Sequence, residues 1–370
     1  MKPTKPTFLD RLVRLLAIAL AIGLALGILA GRFDPRSFQL IAFFGLAYPY
    51  ILLLNVLMIM WWCFRKRWLF AASTLALILL GWNSLTTTFG FTGEKGLGPK
   101  TDKDLIRMMT YNVHSFKPYG EENVESVKQE MLSLIASENP DIICFQEYFT
   151  RKKGSYDITD SLKVILDKPY YYFDPTSQND YEATGLAIFS KYPIKNKGAI
   201  EFNQVYKGNG SIYVDIMIQN KLLRVYNVHM QSISFGKQDY MYLDQVKQKM
   251  EPELYSSKRI LVMLRNAFLK RSDQVDIMKA HMKTCEIPFI IAGDFNDTPA
   301  SYVVTQMTKS LNNTFKEQGT GFGKTYNGKF PNFQIDYIAT TKNFDVLNYH
   351  IIEAELSDHF PVRSDLRLNP

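Results

Sequence analysis

The first 90 residues contain three long apolar runs, and these runs constrain the fold more than any other feature of the sequence. They extend from about Leu12 to Ala30, from about Phe38 to Phe64 and from about Trp68 to Leu85, and their only charged residue is Arg14. A transmembrane helix needs about 20 mostly apolar residues, and each run approaches or exceeds that length. The sequence therefore predicts three transmembrane helices and a membrane anchor over residues 1–90.

Two alternatives exist for these runs. The first run, preceded by basic residues, is also compatible with a cleaved signal peptide. Two further runs follow, however, and the residues after Leu29 make a weak cleavage site. A buried helical bundle in a soluble domain is disfavoured because the runs are long and almost free of charge. An integral, multi-pass membrane protein is the favoured prediction, with membrane lipids around its N-terminal helices.

The basic residues predict the orientation. Lys2, Lys5, Arg11 and Arg14 lie at or before the start of the first run, and residues 65–67 (Arg-Lys-Arg) separate the second run from the third. Positively charged loops are enriched on the cytoplasmic side, so both clusters are predicted there. Three spans from a cytoplasmic N-terminus place the rest of the chain outside the cytoplasm. We expect a linker over residues 91–104 and a catalytic domain over residues 105–370.

The charge of the chain is divided unevenly. Residues 1–100 contain 11 basic and 3 acidic side chains, whereas residues 101–370 contain 32 basic and 33 acidic ones. The isoelectric point near 9.0 therefore reflects the N-terminal segment. A nearly neutral C-terminal part gives little support for binding long nucleic acids.

Residues 105–370 alternate between strand-like and helix-like segments. Two segments, 124–137 and 260–283, have helical periodicity, and residues 232–258 are polar and predict a long surface loop. This mixture predicts an α/β (α+β) sandwich with two β-sheets inside and helices outside. The predicted strands are Ile106–Asn112, Ile142–Gln146, Gly185–Ser190, Ile212–Ile218, Leu222–Val228, Phe289–Ala292 and Ile335–Ala339.

Polar side chains follow several of these strands, and oxygen donors among them are suited to a hard cation. Asn112 ends one predicted strand, Glu147 follows another, and Asp358 lies near the C-terminus. Mg²⁺ prefers carboxylate and amide oxygens and retains water. Each residue alone is more often a turn or surface residue, but together they predict a metal site that neutralises phosphate charge.

A second group of polar residues is suited to proton transfer. Asp294, with Asn296 beside it, can orient and deprotonate an attacking water. His359 can act near a phosphoryl oxygen, and Asp336 can fix its tautomer. His229 can donate a proton to another phosphoryl oxygen or to the leaving group. The combination predicts hydrolysis of a phosphoester.

Seven runs, in order, resemble the endonuclease/exonuclease/phosphatase superfamily and cover about residues 105–370. The ordered set is specific, although no single run is decisive. The runs are Met109-Thr-Tyr-Asn-Val-His114, Ile143-Cys-Phe-Gln-Glu147, Gly185-Leu-Ala-Ile-Phe-Ser-Lys-Tyr-Pro-Ile194, Tyr226-Asn-Val-His229, Ile291-Ala-Gly-Asp-Phe-Asn296, Gln334-Ile-Asp-Tyr-Ile338 and Ser357-Asp-His-Phe-Pro-Val362.

The resemblance implies a four-layer α/β sandwich and a Mg²⁺- or Mn²⁺-dependent phosphodiesterase or phosphomonoesterase, with the site residues in the roles given above. Abasic-site endonucleases look to have an Asp where this chain has His114, and a Tyr where it has Ala183. These departures argue against abasic-site DNA repair. The run ending at Ile194 looks more like the lipid-directed branch of the superfamily.

The sequence leaves three functions to distinguish. The leading one is a membrane-anchored phosphoester hydrolase, with lipid or small-molecule substrates favoured by the anchor and by the neutral domain. The alternative is an extracytoplasmic endonuclease or exonuclease on DNA or RNA, for which the basic run at 151–153 offers phosphate contacts. A non-catalytic receptor or scaffold is disfavoured because the candidate site residues are all present. No protein partner is predicted.

Overall fold

A computed structural model describes residues 8–91, 93, 96–117, 125–167, 169–202, 208–249, 253–328 and 333–369. The α-helices are α1 (Phe8–Ala30), α2 (Leu40–Phe64), α3 (Trp68–Leu80), α4 (Trp82–Thr88), α5 (Glu125–Glu138), α6 (Ile158–Ile165), α7 (Lys237–Lys249), α8 (Leu254–Lys283), α9 (Tyr302–Met307) and α10 (Thr314–Gln318). The strands are β1 (Phe89–Phe91), β2 (Ile106–Asn112), β3 (Ile142–Arg151), β4 (Tyr170–Gln178), β5 (Glu182–Ser190), β6 (Ile194–Glu201), β7 (Gly210–Ile218), β8 (Lys221–His229), β9 (Phe289–Asp294), β10 (Asn312–Asn313), β11 (Thr320–Phe322), β12 (Asp336–Thr340), β13 (Phe344–Val346), β14 (His350–Ile351) and β15 (Val362–Leu368).

Helices α1 and α2 are long and apolar enough to cross a membrane. At 1.5 Å per residue they span about 34 Å and about 37 Å. They pack against each other, and large apolar side chains such as Leu15 (66% exposed) and Leu53 (56% exposed) cover their outer faces. Such a surface suits a hydrocarbon environment better than water.

The third apolar run is not the single helix over 68–85 that the sequence predicts. Helix α3 ends at Leu80, and α4 continues from Trp82 at an angle of 73°. Gly81 lies at the break and lowers helix stability there. In α4 the hydroxyl groups of Thr87 and Thr88 donate hydrogen bonds to the backbone carbonyls of Asn83 and Ser84, one turn earlier in the helix. The two helices make a third membrane span only if they are counted together.

Two twisted sheets form the larger part of the molecule. The strand order in one sheet is β10-β12-β9-β8-β7-β6, and in the other it is β13-β15-β2-β3-β5-β4, with β14 added beside β15. Strands β2 and β3 pair in parallel, as do β8 and β9, and the other pairs are antiparallel. Each parallel pair brings two carboxyl ends to one sheet edge, where polar loops can meet.

The sheets pack face to face with helices outside them. Met108 and Ile188 from one sheet meet Ile216 and Ile290 from the other in a fully buried core. Helices α5 and α6 cover the outer face of the sheet that contains β2, and α8 and α9 cover the outer face of the other. The predicted four-layer α/β sandwich is therefore confirmed. The predicted strands and the two predicted helices are also present, with ends shifted by several residues.

The prediction of a loop over 232–258 is wrong for most of that segment. Helix α7 occupies its middle and α8 begins at Leu254, while residues 250–252 lie outside the described residues. Tyr242 and Leu243 of α7 pack against a small cluster on α8 that includes Leu264. Packing on this narrow apolar stripe stabilises a helix whose composition is mostly polar.

The N-terminal helices contact the sandwich at one end of their bundle. A Cβ atom on Gly31, between α1 and α2, would lie 2.1 Å from Thr305 of α9, so the close approach there requires glycine. Arg36 in the same connection forms ion pairs of 2.8 Å with Asp273 and 2.6 Å with Asp276 of α8. The other end of the bundle holds the Arg65–Asp10 ion pair.

The predicted linker over 91–104 is tied to the sandwich where the structure describes it. The carbonyl of Gly98 accepts a hydrogen bond from Arg107 of β2. Lys100 forms a 2.6 Å ion pair with Asp141, whose side chain is almost fully buried. The segment is therefore held against the sandwich near the start of β2 and β3.

Candidate active site

The ends of β2, β8 and β9 and the irregularity in β3 at Glu147, inside that strand rather than after it, bring the predicted residues together at one edge of the sandwich. Asn112 is the last residue of β2. In the other sheet, His229 and Asp294 are the last residues of β8 and β9 and lie opposite each other in the backbone pairing of these strands. Nδ2 of Asn112 donates to Oδ2 of Asp294 over 3.2 Å and links the two sheets. The site therefore lies where both sheets converge, as expected from the strand ends.

Asp294 is the centre of this site and is almost completely buried. Its Oδ1 accepts the backbone N–H of Asn296 at 2.8 Å, and its Oδ2 accepts from Nδ2 of Asn296 at 3.1 Å. Burial, to which the negative charge of Asp336 adds, raises the pKa of Asp294 to about 6. A carboxylate with that pKa can exchange a proton near neutral pH.

Two imidazoles flank Asp294 without bonding to it. Nε2 of His229 and Nε2 of His359 each lie 3.7 Å from Oδ2 of Asp294, which is too long for a hydrogen bond. Among the described residues, the buried Nε2 of His229 has no hydrogen-bond partner. Buried polar atoms are normally satisfied, so this nitrogen indicates a place for a polar ligand.

His359 is held from behind by Asp336. Its Nδ1 lies 2.9 Å from Oδ2 and 3.1 Å from Oδ1 of Asp336, and both side chains are buried. Burial lowers the pKa of His359, but the charges of Asp336 and Asp294 outweigh burial and raise it well above the usual value. The hydrogen bond favours the form of His359 with a proton on Nδ1, which leaves Nε2 facing Asp294.

A second pair of carboxylates lies beside this group. Nδ1 of His114 is 3.3 Å from Oε2 of Glu147 and 3.7 Å from Oδ1 of Asp358, so both carboxylates face one point. Burial acts to raise the pKa of Glu147, but the His114 hydrogen bond and the charges of His229 and His114 lower it to about 2. Glu147 is therefore ionised at neutral pH, as a cation ligand must be.

The donor set of these residues fits a hard divalent cation. Glu147 and Asp358 offer partly exposed carboxylate oxygens at the pocket, and Oδ1 of Asn112 accepts the backbone N–H of His114, whose ring contacts both carboxylates. The donor atoms of Asp294, Asp336 and His359 also lie within 4.8 Å of one another. In that second group, however, Nδ1 of His359 is already engaged by Asp336, so the Glu147–Asp358 side suits a cation better.

Several site residues have backbone conformations that L-amino acids rarely adopt. The φ angles of His114, Glu147 and Asn296 are 41°, 51° and 54°. Gly293, just before Asp294, has φ 143°, and a Cβ there would lie 2.0 Å from the carbonyl oxygen of Val228. Such strain is concentrated at functional sites, where the surrounding fold holds it in place.

All eight residues predicted from the sequence are near this site, and the structure adds others. His114 contacts two of the predicted metal ligands. Its position two residues after Asn112 is the sequence feature that could have identified it as a site residue. Gln146 and Asn227 join the sheets through a 2.6 Å hydrogen bond. Arg271 of α8 is fully buried, donates to the backbone carbonyl of Asn296 and lies 3.4 Å from Asp297. No sequence pattern marks Arg271, because a basic side chain within a helix is usually exposed to solvent.

Comparison with known proteins identifies the class to which this fold and site belong. A sequence model of the Endonuclease/Exonuclease/phosphatase family matches residues 109–253 and 279–359. The chain therefore belongs to that family. A second model, described as a domain of unknown function (DUF8431), matches residues 10–88. A search of curated protein sequences finds no match.

Solved structures share the fold at low sequence identity. One is an endonuclease/exonuclease/phosphatase family protein from Bacteroides thetaiotaomicron (16% identity, TM-score 0.53, 72% of this chain and 98% of that chain). Another family protein is from Bacteroides vulgatus (18% identity, TM-score 0.52, 72% and 100%). A third is the catalytic domain of human Nocturnin with a bound sulfate anion (17% identity, TM-score 0.50, 72% and 96%). At these identities the likeness concerns the fold of the sandwich and leaves the substrate open.

Proposed function

We propose that this protein is a membrane-anchored, divalent-metal-dependent phosphoester hydrolase that uses water as the nucleophile. One observation carries the proposal: the buried Asp294 carboxylate lies between two imidazole nitrogens, each 3.7 Å away, in the pocket that also holds Glu147 and Asp358. Members of this family are typically hydrolases of phosphoesters, in agreement with that arrangement.

Different residues of the site would activate the water and stabilise the phosphoryl group. Asp294, positioned by Asn296, accepts a proton from water as the water oxygen forms a bond to phosphorus. The bond from phosphorus to the ester oxygen of the leaving group breaks, and that oxygen takes a proton from solvent water, whose lost proton is replaced when Asp294 releases the proton it accepted. His359, held by Asp336, and His229 donate hydrogen bonds to phosphoryl oxygens, where negative charge develops.

Mg²⁺ or Mn²⁺ would be held by Glu147 and Asp358 with the amide oxygen of Asn112. When bound, the cation supplies neutralisation of phosphate and leaving-group charge. His114, which contacts both carboxylates, would hold them in place or give way to the cation. The low pKa of Glu147 supports this assignment because the carboxylate needs no deprotonation to bind a metal.

The N-terminal helices would place the enzyme in a membrane. We propose residues 1–90 as the anchor, 91–104 as the linker and 105–370 as the catalytic domain, with the N-terminus in the cytoplasm. The sandwich contacts the bundle at the end that holds Arg36, and the basic turn 65–67 lies at the opposite end. Basic turns favour the cytoplasmic side, so this arrangement supports an extracytoplasmic catalytic domain.

The first experiment tests activity. Full-length protein in detergent is assayed with Mg²⁺, with Mn²⁺ and with a chelator, on sphingomyelin, glycerophospholipids, inositol phosphates, DNA and RNA. We expect chelator-sensitive hydrolysis of a lipid or small phosphoester. Cleavage confined to nucleic acid would favour the nuclease instead, and no turnover on any substrate class would contradict the proposal.

Two variants and a reporter complete the test. Asp294→Asn should abolish turnover while thermal unfolding stays close to wild type, and near wild-type hydrolysis would remove Asp294 from the mechanism. A reporter fused at Pro370 should report an extracytoplasmic location in intact cells. A cytoplasmic signal would overturn the orientation without affecting the chemistry.

A further inference from the structure

The catalytic pocket has an apolar side that phosphoester hydrolysis does not require. One cavity of about 270 Å³ contains the catalytic carboxylates and imidazoles together with a hydrophobic surface. We call this surface the apolar wall, and it consists of Leu46, Ile233, Phe235, Leu264 and Phe268. A small, fully charged substrate gains nothing from such a wall, whereas an amphiphilic one gains contact area.

The apolar wall is built partly by a helix of membrane-spanning length. Leu46 belongs to α2, and its neighbour Phe43 stacks edge-on against Phe268 of α8 at 5.3 Å between ring centroids. Leu264 and Phe268 are almost completely buried in this cluster, and Ile233 and Phe235 are half-buried where the chain approaches α7. One cavity therefore contains both a residue of α2 and the catalytic centre.

The position of the wall along α2 indicates what reaches it. Leu46 lies less than two turns from the start of α2 at Leu40, at the bundle end that contacts the sandwich. Around it the outer surface of the helix is apolar and exposed: Leu40 is 63% exposed and Leu53 is 56% exposed. If α2 crosses a bilayer, the wall lies at the depth where head groups give way to hydrocarbon.

We propose that the apolar wall receives a hydrocarbon chain of a lipid phosphoester from the surrounding membrane leaflet while its phosphate lies beside Asp294. This inference rests on the proposed function and names its substrate class. The chain enters along α2, so the lipid need not leave the bilayer completely. Phe235 would then determine specificity, because it contacts the hydrocarbon chain of the lipid. The polar side of the cavity contacts only the phosphoester group, which lipid and soluble substrates share.

The first test measures binding without turnover. Full-length protein in phosphatidylcholine nanodiscs, with chelator present, is exposed to a phosphatidylcholine that carries a diazirine in its acyl chain. After irradiation, we expect labelled peptides from 230–235 or 260–268 in addition to the outer faces of α1 and α2. Labelling of the outer helix faces alone would overturn the proposal.

The second test compares two substrates at saturating Mg²⁺ in the same micelles: bis(4-nitrophenyl) phosphate and whichever long-chain lipid the wild type hydrolyses fastest. Phe235→Asn should lower kcat/KM for the lipid about tenfold more than for the soluble diester, as expected for lost contacts in an apolar site. Phe235→Leu, which keeps an apolar side chain, should retain most of the wild-type ratio of kcat/KM for the lipid to kcat/KM for the soluble diester. Val164→Asn, at an exposed apolar site on α6 (82% exposed), is the matched control and should leave the ratio at the wild-type value.

The outcomes separate the two proposals. Equal losses on both substrates, or wild-type hydrolysis of the soluble diester but of no lipid, would overturn the role of the wall and leave the hydrolase intact. Hydrolysis of neither substrate, together with no turnover of inositol phosphates, DNA or RNA, would overturn the proposed function. In that case labelling of the wall still decides whether it binds a lipid chain.

Discussion

Replacement of Asp336 by Asn isolates the electrostatic coupling at the centre of the site. The substitution keeps the size of the side chain and an oxygen that can accept the Nδ1–H of His359, but it removes the charge. At 2.9 Å and an effective dielectric constant of about 20, a unit charge pair is worth about 6 kcal/mol. Burial opposes the charged imidazole, so without the charge of Asp336 the pKa of His359 should fall from its strongly raised value towards the usual range.

The assay is a ¹³C NMR titration of histidine-labelled, metal-free protein in detergent, with His359→Gln to assign the resonance. Asp345→Asn, at an exposed position on β13, is the matched control and should leave the titration unchanged. With Mg²⁺ present, Asp336→Asn should lower kcat about a thousandfold or more, since an imidazole without its carboxylate loses stabilisation of its charged form. A pKa of His359 within half a unit of wild type, or a kcat within threefold, would refute the reasoning.

Three further outcomes follow from the structure. Gly293→Ala should lower the free energy of unfolding by about 2 kcal/mol or more, because its Cβ would collide with the carbonyl of Val228; denaturant unfolding within 0.5 kcal/mol of wild type would contradict this. Burial raises the pKa of Asp365, but hydrogen bonds from Arg107 and Asn348 outweigh burial and lower it. The ionised Asp365 therefore stabilises the folded protein above about pH 4, and this stabilisation is lost as the pH falls through the folded-state pKa. Asp365→Asn should therefore flatten the acid side of the Tm profile measured by circular dichroism, and an unchanged slope below pH 4 would argue against it. Glu147→Gln should weaken Mn²⁺ binding, measured by calorimetry, at least about tenfold, and unaltered affinity would place the metal elsewhere.

Much of the fold and of the candidate site follows from local sequence. Short β-branched and aromatic runs such as Ile106–Asn112 form strands wherever they are buried, because their period and composition suit a sheet. Polar residues at the carboxyl ends of such strands, Asn112 and Asp294 among them, converge because parallel neighbours end at the same edge. The apolar runs before residue 90 are equally local, since hydropathy needs no tertiary information.

Other features depend on contacts between distant segments and were accessible only from the tertiary structure. Helix α7 has too narrow an apolar stripe to be evident in its sequence, and packing on α8 decides its conformation. Gly81 breaks the third apolar run in a way that hydropathy alone does not reveal. The apolar wall joins Leu46 to Phe268 across more than half of the chain, and the pKa of Asp294 depends on burial and on Asp336. Sequence periodicity reports which face of an element is apolar, but which elements share a cavity, and how far water is excluded from a charge, is decided only when the whole chain packs.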